Sequence, residues 1–493
     1  MRKRGSITIF LALLLTAFFS AVFAFLEAAR VSGLNSNSRI STMQARDTVL
    51  ASYDPVLWED YHLLFWQAQE GDFPEMDSLG ELQQSAVEGN LSALQQSNEN
   101  YYVLKVHLSE VTTSAYQLVT DDGGAAFREQ SAEMMKVTVA ENSLQTMLSW
   151  VTGEDTSGSQ DDLGEAAEEA LEMLESAKAE NSEAEAADTD NSKDEVTGSG
   201  ASAQEVSITE NPLEWVKKMR KNGILAVVMP ESDISQKSVD LDTCIGKRSL
   251  NSGNMTVSQS TGATDKLLFY LYLAQYFSDA SEEPEEHALD YELEYMIAGK
   301  EGDQANLKAV VRRLLLMREA ANLVYLESNA QKQQEAAAIA TALTAVVAQP
   351  ELIPLVQQGI LAAWAYAESI SDVRILLEGG KVSLVKTADQ WHTEIGSLSS
   401  TVYATEGSQQ TKGLSYENYL QILMWMTSDE KLAERAMDMI EKNTGVQMDQ
   451  MVCRAECEYE YEAYPLFWNF VTLGQESPGT LCFQDETTIS FME

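Results

Sequence analysis

Basic residues are scarce in this chain. Its 493 residues include 33 lysines and arginines against 77 aspartates and glutamates, and the formal net charge is −44. Phosphate binding needs a basic footprint, so this balance excludes nucleic acid as a partner. It also disfavours a body that lies flat on an anionic lipid surface. Surface acidity of this kind keeps an exterior protein soluble.

Catalytic motifs are missing as well. The sequence contains no P-loop, dinucleotide-binding glycine fingerprint, HExxH pair or nucleophile elbow. The four histidines, at positions 62, 107, 287 and 392, share no local context. A catalytic triad that assembles only in space would leave no such motif. From the sequence we expect a protein that is not an enzyme and that uses no cofactor.

Cysteine is rare, and three of the four cysteines lie near the C-terminus. Cys453 and Cys457 are four residues apart but have no second pair of ligands nearby, which argues against zinc. In an exported chain a disulfide is the better interpretation. We therefore expect Cys482 to pair with Cys453 or Cys457.

The N-terminus carries the clearest signal. After Arg2, Lys3 and Arg4, residues 6–26 contain no charge, and 21 helical residues span about 30 Å, the thickness of a bilayer core. The basic side stays in the cytoplasm. We expect a single-pass protein of the cell membrane with its body outside. The alternative is a cleaved secretory signal that ends at Ala24.

Small residues recur every four positions along this predicted membrane helix: Ala12, Thr16, Ser20 and Ala24. Small side chains let helix backbones approach closely in lipid, where apolar bulk gives no drive to associate. The stripe predicts a helix-packing seam. The alternative is chance, because small residues are common in membrane helices.

The sequence predicts a helix-rich α+β protein with a small antiparallel sheet. The predicted segments are a cytoplasmic tail (1–5), a transmembrane helix (6–26), a helical stalk (27–53), a first part of the body (54–152), an acidic disordered insert (153–205) and a second, helix-rich part (206–493). The stalk would project the body about 40 Å from the membrane. The insert holds 17 acidic residues and two lysines, too polar to form a packed core.

Hydrophobic periodicity assigns the elements of the body. Helices are predicted at 125–151, 213–221, 264–277, 304–328, 331–347, 351–377 and 415–443. Strands are predicted within 101–119 and at 223–229, 289–297, 451–461 and 482–491.

Two polar groups stand out within the apolar helices. Glu368 and Asp372 share one helix face, with Arg374 close by, which favours a structural ion cluster over an acid pair for catalysis. Arg318 and Asn322 lie among apolar residues and are expected to satisfy buried backbone or carboxylate groups. The acidic run that ends at His287 is interpreted as a solvated loop.

Several stretches resemble an uncharacterised family of bacterial single-pass membrane proteins. They are KRGSITIFLALLL, LEAARV, TDDGGAAFREQ, LEYMIAGK, NLKAVVRRLLLMREAANLVYL, WAYAESISDVRILLEGGKV, LSYENYLQILMWM and RAMDMIEKN. Such proteins are often encoded beside Tad/Flp-type pilus and secretion genes, and they loosely resemble TadE/TadG components. The resemblance implies a role in surface assembly, with other pilus or secretion subunits as partners, and it assigns no catalytic residue.

The N-terminus departs from true prepilins. Gly5-Ser6 resembles a prepilin cleavage junction, but Phe10 stands where the fifth residue after the cut is normally Glu. The sequence thus favours a non-enzymatic anchored component of a pilus or secretion apparatus. A membrane-tethered enzyme acting on envelope material and a ligand-binding sensor remain the alternatives.

Overall fold

A computed structural model describes residues 3–69, 71–97, 101–138, 211–255, 262–284, 286–346, 349–402, 412–466 and 480–492. The chain divides into two compact units that interleave along the sequence. Unit 1 comprises Met1–Thr138, Arg248–Phe269 and Thr444–Glu493, and unit 2 comprises Val139–Lys247 and Tyr270–Asn443. These units differ from the two sequential body segments that we expected, because the C-terminal strands belong with the N-terminal helix.

The described residues are rich in α-helix. The helices are α1 (Lys3–Leu50), α2 (Pro55–Tyr61), α3 (Asp77–Ser97), α4 (Asp121–Thr138), α5 (Pro212–Asn222), α6 (Ile224–Val228), α7 (Ala263–Tyr276), α8 (Glu292–Ala298), α9 (Asp303–Ser328), α10 (Ala330–Ala345), α11 (Ile353–Leu377), α12 (Leu398–Thr401), α13 (Tyr416–Trp425) and α14 (Asp429–Thr444). Together with one small antiparallel sheet, they confirm the expected α+β class.

The sheet of unit 1 is built around one central strand. Its strands are β1 (Trp66–Gln67), β2 (His107–Leu118), β3 (Met451–Ala463) and β4 (Leu481–Ser490). All three other strands pair antiparallel with β3, and β2 follows it over nearly its whole length. The strands predicted at 451–461 and 482–491 are confirmed, as is a strand within 101–119.

Alternation along β3 gives the sheet one buried face and one exposed face. Cys457, Tyr459 and Tyr461 are buried, while Glu458 and Glu460 between them are exposed. Period-two alternation of this kind is what a strand with one face on the core requires. The buried face packs on α1 and α3.

Helix α1 continues from the apolar segment without a break, but it is not the projecting stalk that we expected. Leu34, Ala45 and Val49 lie in the core of unit 1, and Thr42 bonds Tyr461 through their hydroxyls at 2.9 Å. A mostly polar helix needs a partner to stay ordered. Here the sheet and α3 supply it, so residues 27–50 are part of the body.

Unit 2 is organised around α11. Every residue of this helix from Gly359 to Leu377 is buried, and most of them are apolar, as expected for a helix at the centre of a core. Helices α9 and α10 pack against it, as do α5 and α6. The helices predicted at 213–221, 264–277, 304–328, 331–347 and 351–377 are confirmed.

Two predicted strands are helices instead. Residues 223–229 contain helix α6, because a short apolar run does not distinguish a buried strand from a buried helix. Residues 289–297 contain helix α8, although their apolar and acidic residues alternate. The alternation misled because Glu292 and Glu294 are buried and hydrogen-bonded rather than solvated.

The remaining differences concern boundaries. The helix predicted at 415–443 is two helices, α13 and α14, interrupted at residues 426–428. The predicted helix 125–151 is described only to Thr138. It follows a turn in which Asp122, Gly123 and Gly124 all have positive φ angles. The predicted acidic insert, 153–205, lies outside the described residues.

Candidate functional site

The most polar part of the unit 2 core lies on α11. Glu368 and Asp372 are one helical turn apart, and neither has any exposed surface. An isolated ionised carboxylate would be very costly in such a place, so both need partners. The surrounding elements supply those partners from three directions.

Helix α9 supplies the first set. The Nε of Arg318 lies 3.0 Å from Asp372 Oδ2, and its Nη1 donates to the carbonyl oxygens of Ser383 and Leu384 at 3.0 and 2.9 Å. Asn322, one turn further along α9, donates to the same Asp372 oxygen at 3.0 Å. The expectation that Arg318 and Asn322 satisfy buried carboxylate and backbone groups is confirmed.

The loop after α11 supplies the second set. The ammonium of Lys386 contacts the carboxylates of both Glu368 and Asp372, and its side chain is almost fully buried. The Lys386 Nζ also lies over the ring of Trp391, 5.7 Å from the ring centroid. Nothing in the sequence indicates this pairing, because Lys386 comes from a connecting segment without periodicity.

The third set fixes Glu368 from the backbone. The amides of His392 and Thr393 donate to its two oxygens at 3.0 and 2.8 Å, and the Thr393 hydroxyl donates at 2.7 Å. The indole of Trp364 in turn donates to that hydroxyl at 3.0 Å. Glu368 therefore ties the 386–393 segment to the centre of α11.

These contacts decide the ionisation of the cluster. Burial by itself would raise the pKa of Glu368, but the Lys386 ammonium and the hydrogen bonds from His392 and Thr393 hold that pKa well below its ordinary value. Burial likewise acts to lower the pKa of Arg318, and the Asp372 carboxylate outweighs it. Two carboxylates thus face two cations, and we term Arg318, Glu368, Asp372 and Lys386 the charge cluster.

The charge cluster overlaps the group with the geometry closest to a metal site. Across the described ranges, Glu368, Asp372 and His392 are the one set of three ligand-type side chains whose donor atoms lie within 4.8 Å of one another. The Lys386 ammonium already contacts both carboxylates, and a divalent cation would have to displace it. The residues therefore suit a lysine–carboxylate network better than a metal ion.

A second group of acids in unit 2 lies around Glu294, which has no exposed surface. Glu294 accepts hydrogen bonds at one oxygen from the Tyr416 hydroxyl (2.6 Å) and the Ala280 amide (3.0 Å). Burial and the nearby Asp279 raise the pKa of Glu294 to about 8. The pKa values of Asp279 and Glu417 are also raised, chiefly by burial. Glu294 is therefore mostly protonated at neutral pH.

Unit 1 holds its own buried ion pair where the apolar half of α1 ends. The Nη1 of Arg30 lies 2.9 Å from Glu27 Oε1. Its Nε donates to the Val103 carbonyl at 2.6 Å, and its Nη2 donates to the Tyr464 carbonyl at 2.8 Å. The Leu466 amide donates to Glu27 at 3.3 Å. We term Glu27 and Arg30 the clamp, because they join α1 to the 3-10 helix Tyr101–Leu104 and to the loop after β3.

The predicted seam residues lie in the other half of α1. Ala12, Thr16, Ser20 and Ala24 are all exposed, as are the large apolar residues beside them; Ile7, Phe10 and Phe25 are each at least 66% exposed. The Thr16 hydroxyl donates to carbonyls of its own helix, Ala12 at 3.0 Å or Leu13 at 2.9 Å. The Thr16 hydroxyl is therefore satisfied within its own helix, as a lipid environment requires.

The predicted disulfide is wrong. Strand register places Cys482 opposite Glu462, and Cys457 opposite Thr487. Five residues along a strand separate the two cysteines by about 17 Å, far beyond the reach of a disulfide. Cys457 accepts instead from the Gln83 amide at 3.2 Å. All four cysteines are free: Cys244, Cys453, Cys457 and Cys482.

Other sequence predictions have mixed outcomes. The ion cluster at Glu368 and Asp372 is present, but its cations are Lys386 and Arg318 instead of Arg374, which donates to the Val227 carbonyl at 3.3 Å. The clamp was visible in the sequence only as the charged end of an apolar run. Its spacing of three residues on one helix was the available signal.

One family model matches this chain. It is described as a family of unknown function, DUF5702, and it matches residues 202–463. That range is more than half of the chain. The chain belongs to the DUF5702 family. The matched range contains the charge cluster, the Glu294 group and strand β3.

The other comparisons add no relative. No curated protein matches the chain, and no solved structure does either. Membership of the DUF5702 family therefore identifies the relatives of the chain but assigns no activity to it.

Proposed function

We propose that this DUF5702 protein is a non-enzymatic, membrane-anchored component of a surface apparatus of the Tad/Flp pilus or secretion type. Its N-terminus would lie in the cytoplasm and its body outside the cell. Its partners would be other subunits of that apparatus, met through the transmembrane helix and the body. The resemblance of the sequence to proteins encoded at such loci supports the choice of apparatus.

One observation carries the proposal. Along the single helix α1, the large apolar residues up to Leu26 are exposed, while from Glu27 onward one face is buried in the core of unit 1. Among the residues that the structure describes, this is the one helix long and apolar enough to cross a membrane. A soluble protein does not leave some twenty apolar residues in water, so a bilayer is the environment that suits them.

The charge cluster supports a structural role over a catalytic one. Its cations and carboxylates are balanced and bonded to each other, so no carboxylate is left to act as a general base. The alternative, a tethered enzyme, has one observation in its favour. The side chain of His392 is 17% exposed, and its Nδ1 lies 3.3 Å from Glu368 Oε1.

Topology is the first test. Intact cells with the wall removed are treated with protease, and the body is probed by antibody. Digestion of the body, with a short membrane-protected N-terminal fragment remaining, is the expected result. Full protection of the body would reject the topology, and a mature N-terminus at Phe25 would reject the retained anchor.

The second test separates assembly from catalysis. Thr16→Leu with Ser20→Leu raises hydrophobicity, so insertion is preserved, but it fills the small-residue seam. We expect weaker recovery of partner proteins from detergent extracts. His392→Gln is the matched control and should leave recovery unchanged. Equal recovery with the seam variant and the wild type would count against helix packing through that face.

A further inference from the structure

The loop that leaves strand β3 runs toward the apolar half of α1. The Tyr464 carbonyl meets Arg30, and two residues later the Leu466 amide meets Glu27. Arg30 lies about 4.5 Å further from the apolar segment than Glu27, at 1.5 Å per helical residue. The loop therefore descends beside α1 in the direction of Leu26, the last residue of the apolar run.

The side chains on this loop are apolar and exposed. Tyr464 is 59% exposed and Leu466 is 39% exposed, although they adjoin a well-packed core. Pro465 lies between them, and the sequence from Leu466 to residue 475 contains no charged residue. In a chain with a net charge of −44, two exposed apolar side chains at this position require a reason.

We propose that Tyr464 and Leu466 form a second membrane contact, which rests in the interfacial region of the same bilayer that α1 crosses. This inference depends on the proposed anchoring of α1. Tyrosine favours the membrane–water interface, because its ring is apolar and its hydroxyl remains hydrated. An apolar contact of this kind is buried about 5–10 Å into the headgroup and acyl boundary.

The clamp makes the contact geometrically fixed. Arg30, whose side chain is almost fully buried, joins α1 to the Val103 and Tyr464 carbonyls, so these hydrogen bonds set the angle between the helix and this end of unit 1. A rigid junction keeps Tyr464 at one depth relative to Leu26, so this end of unit 1 stands directly on the membrane. The exposed acidic face of the sheet does not prevent this membrane contact, because the contact is made by apolar side chains at one end of the sheet. Such a contact does not depend on basic residues.

The test uses the full-length protein in phosphatidylcholine vesicles that carry a spin label near the headgroup. Exposed Cys482 is first replaced by serine, while the three buried cysteines are retained. A single new cysteine, Tyr464→Cys, then carries an environment-sensitive fluorophore. We expect the spin-labelled lipid to quench its emission by about half, since the site lies within the interfacial layer.

Two reference positions make the outcome decisive. Phe19→Cys lies about 10 Å inside the end of the apolar run at 1.5 Å per residue, so it reports insertion of α1 in a second set of vesicles whose spin label sits on the acyl chain. Thr488→Cys is exposed on β4, seven residues from Leu481 and so about 24 Å along the sheet, and should remain unquenched. Quenching at Phe19 with none at Tyr464 overturns the second contact and leaves the anchor intact. Absence of quenching at Phe19 overturns the anchor and the contact together.

A variant with a charge introduced at the proposed contact completes the design. Leu466→Asp places a carboxylate in the proposed contact, and desolvating it would oppose membrane burial. We expect the fluorophore at Tyr464 to lose its quenching in this variant while the one at Phe19 keeps it. Undiminished quenching at Tyr464 would contradict the contact.

Discussion

Arg318 and Asp372 form an ion pair with no exposed side-chain surface on either partner, and 3.0 Å separates the guanidinium Nε from the carboxylate Oδ2. The two residues come from α9 and α11, so the pair connects the two longest helices of unit 2. Lys386 then adds a third segment of the chain to the same carboxylate. The stability of unit 2 should depend on the completeness of this network.

Lys386→Met removes one cation and leaves Glu368 and Asp372 with excess buried charge. Loss of one partner of a buried pair costs about 3–5 kcal/mol of unfolding free energy. Urea unfolding of the detergent-solubilised protein, followed by circular dichroism, measures it. The exposed Lys381→Met is the control and should change stability by no more than about 0.5 kcal/mol.

Adding Glu368→Gln to Lys386→Met removes the unpaired charge along with its partner. We expect the double variant to lose less stability than the sum of the two single variants, because the residues interact directly. Simple additivity would show that the contact carries little energy.

Glu294 should make stability fall as pH rises. Its pKa is about 8 in the folded protein and near 4.5 when unfolded, so the folded state binds the extra proton. Its contribution is complete below about pH 4.5 and is lost as pH rises through 8. Glu294→Gln should flatten the pH profile of unfolding over that window, by up to a few kcal/mol. Tyr416 and Asp279 stay in place, and the exposed Glu430→Gln should leave the slope unchanged.

Arg30→Met should loosen the junction at the clamp. The Val103 and Tyr464 carbonyls lose their donor, and hydrogen bonds from charged groups are worth about 1.5–3 kcal/mol each. Local opening should then make backbone amides near these residues exchange about tenfold faster or more. Hydrogen exchange with mass spectrometry checks this. Arg39→Met, whose side chain is 67% exposed, should have no such effect.

Thiol chemistry should distinguish Cys482 from the other cysteines. Burial raises the pKa of Cys457 to about 11, so its thiolate is scarce at neutral pH. We expect native alkylation at Cys482 alone, and at all four cysteines after denaturation. Disulfide-linked peptides from unreduced protein would contradict the strand register.

The sequence was most informative where one physical demand dominated. Hydrophobic periodicity predicts a helix at 351–377, and the structure contains it as α11, Ile353–Leu377. Alternation at 289–297 failed because Glu292 and Glu294 find donors inside the fold, from the Ser278 and Ala280 amides. These donors come from residues that precede the two glutamates by 14 positions, and a local pattern does not reveal them.

The charge cluster shows the same limit on what a local sequence pattern predicts. Glu368, Asp372, Arg318 and Asn322 are conspicuous as polar residues in apolar helices, so an ion cluster was predictable. Lys386 was not, because nothing in a loop marks one lysine as buried. The disulfide failed for a related reason, since proximity in sequence order does not fix which residues of two paired strands lie opposite each other.

The composition of unit 1 has a consequence for the order in which the protein is made. Strand β3, with which β1, β2 and β4 all pair, begins at Met451, whereas every residue of unit 2 precedes Thr444. Synthesis from the N-terminus therefore produces α1 and β2 hundreds of residues before β3, the strand that pairs with β2. A premature stop codon just after Asn443 would encode all of unit 2 and deprive the anchored unit of the centre of its sheet.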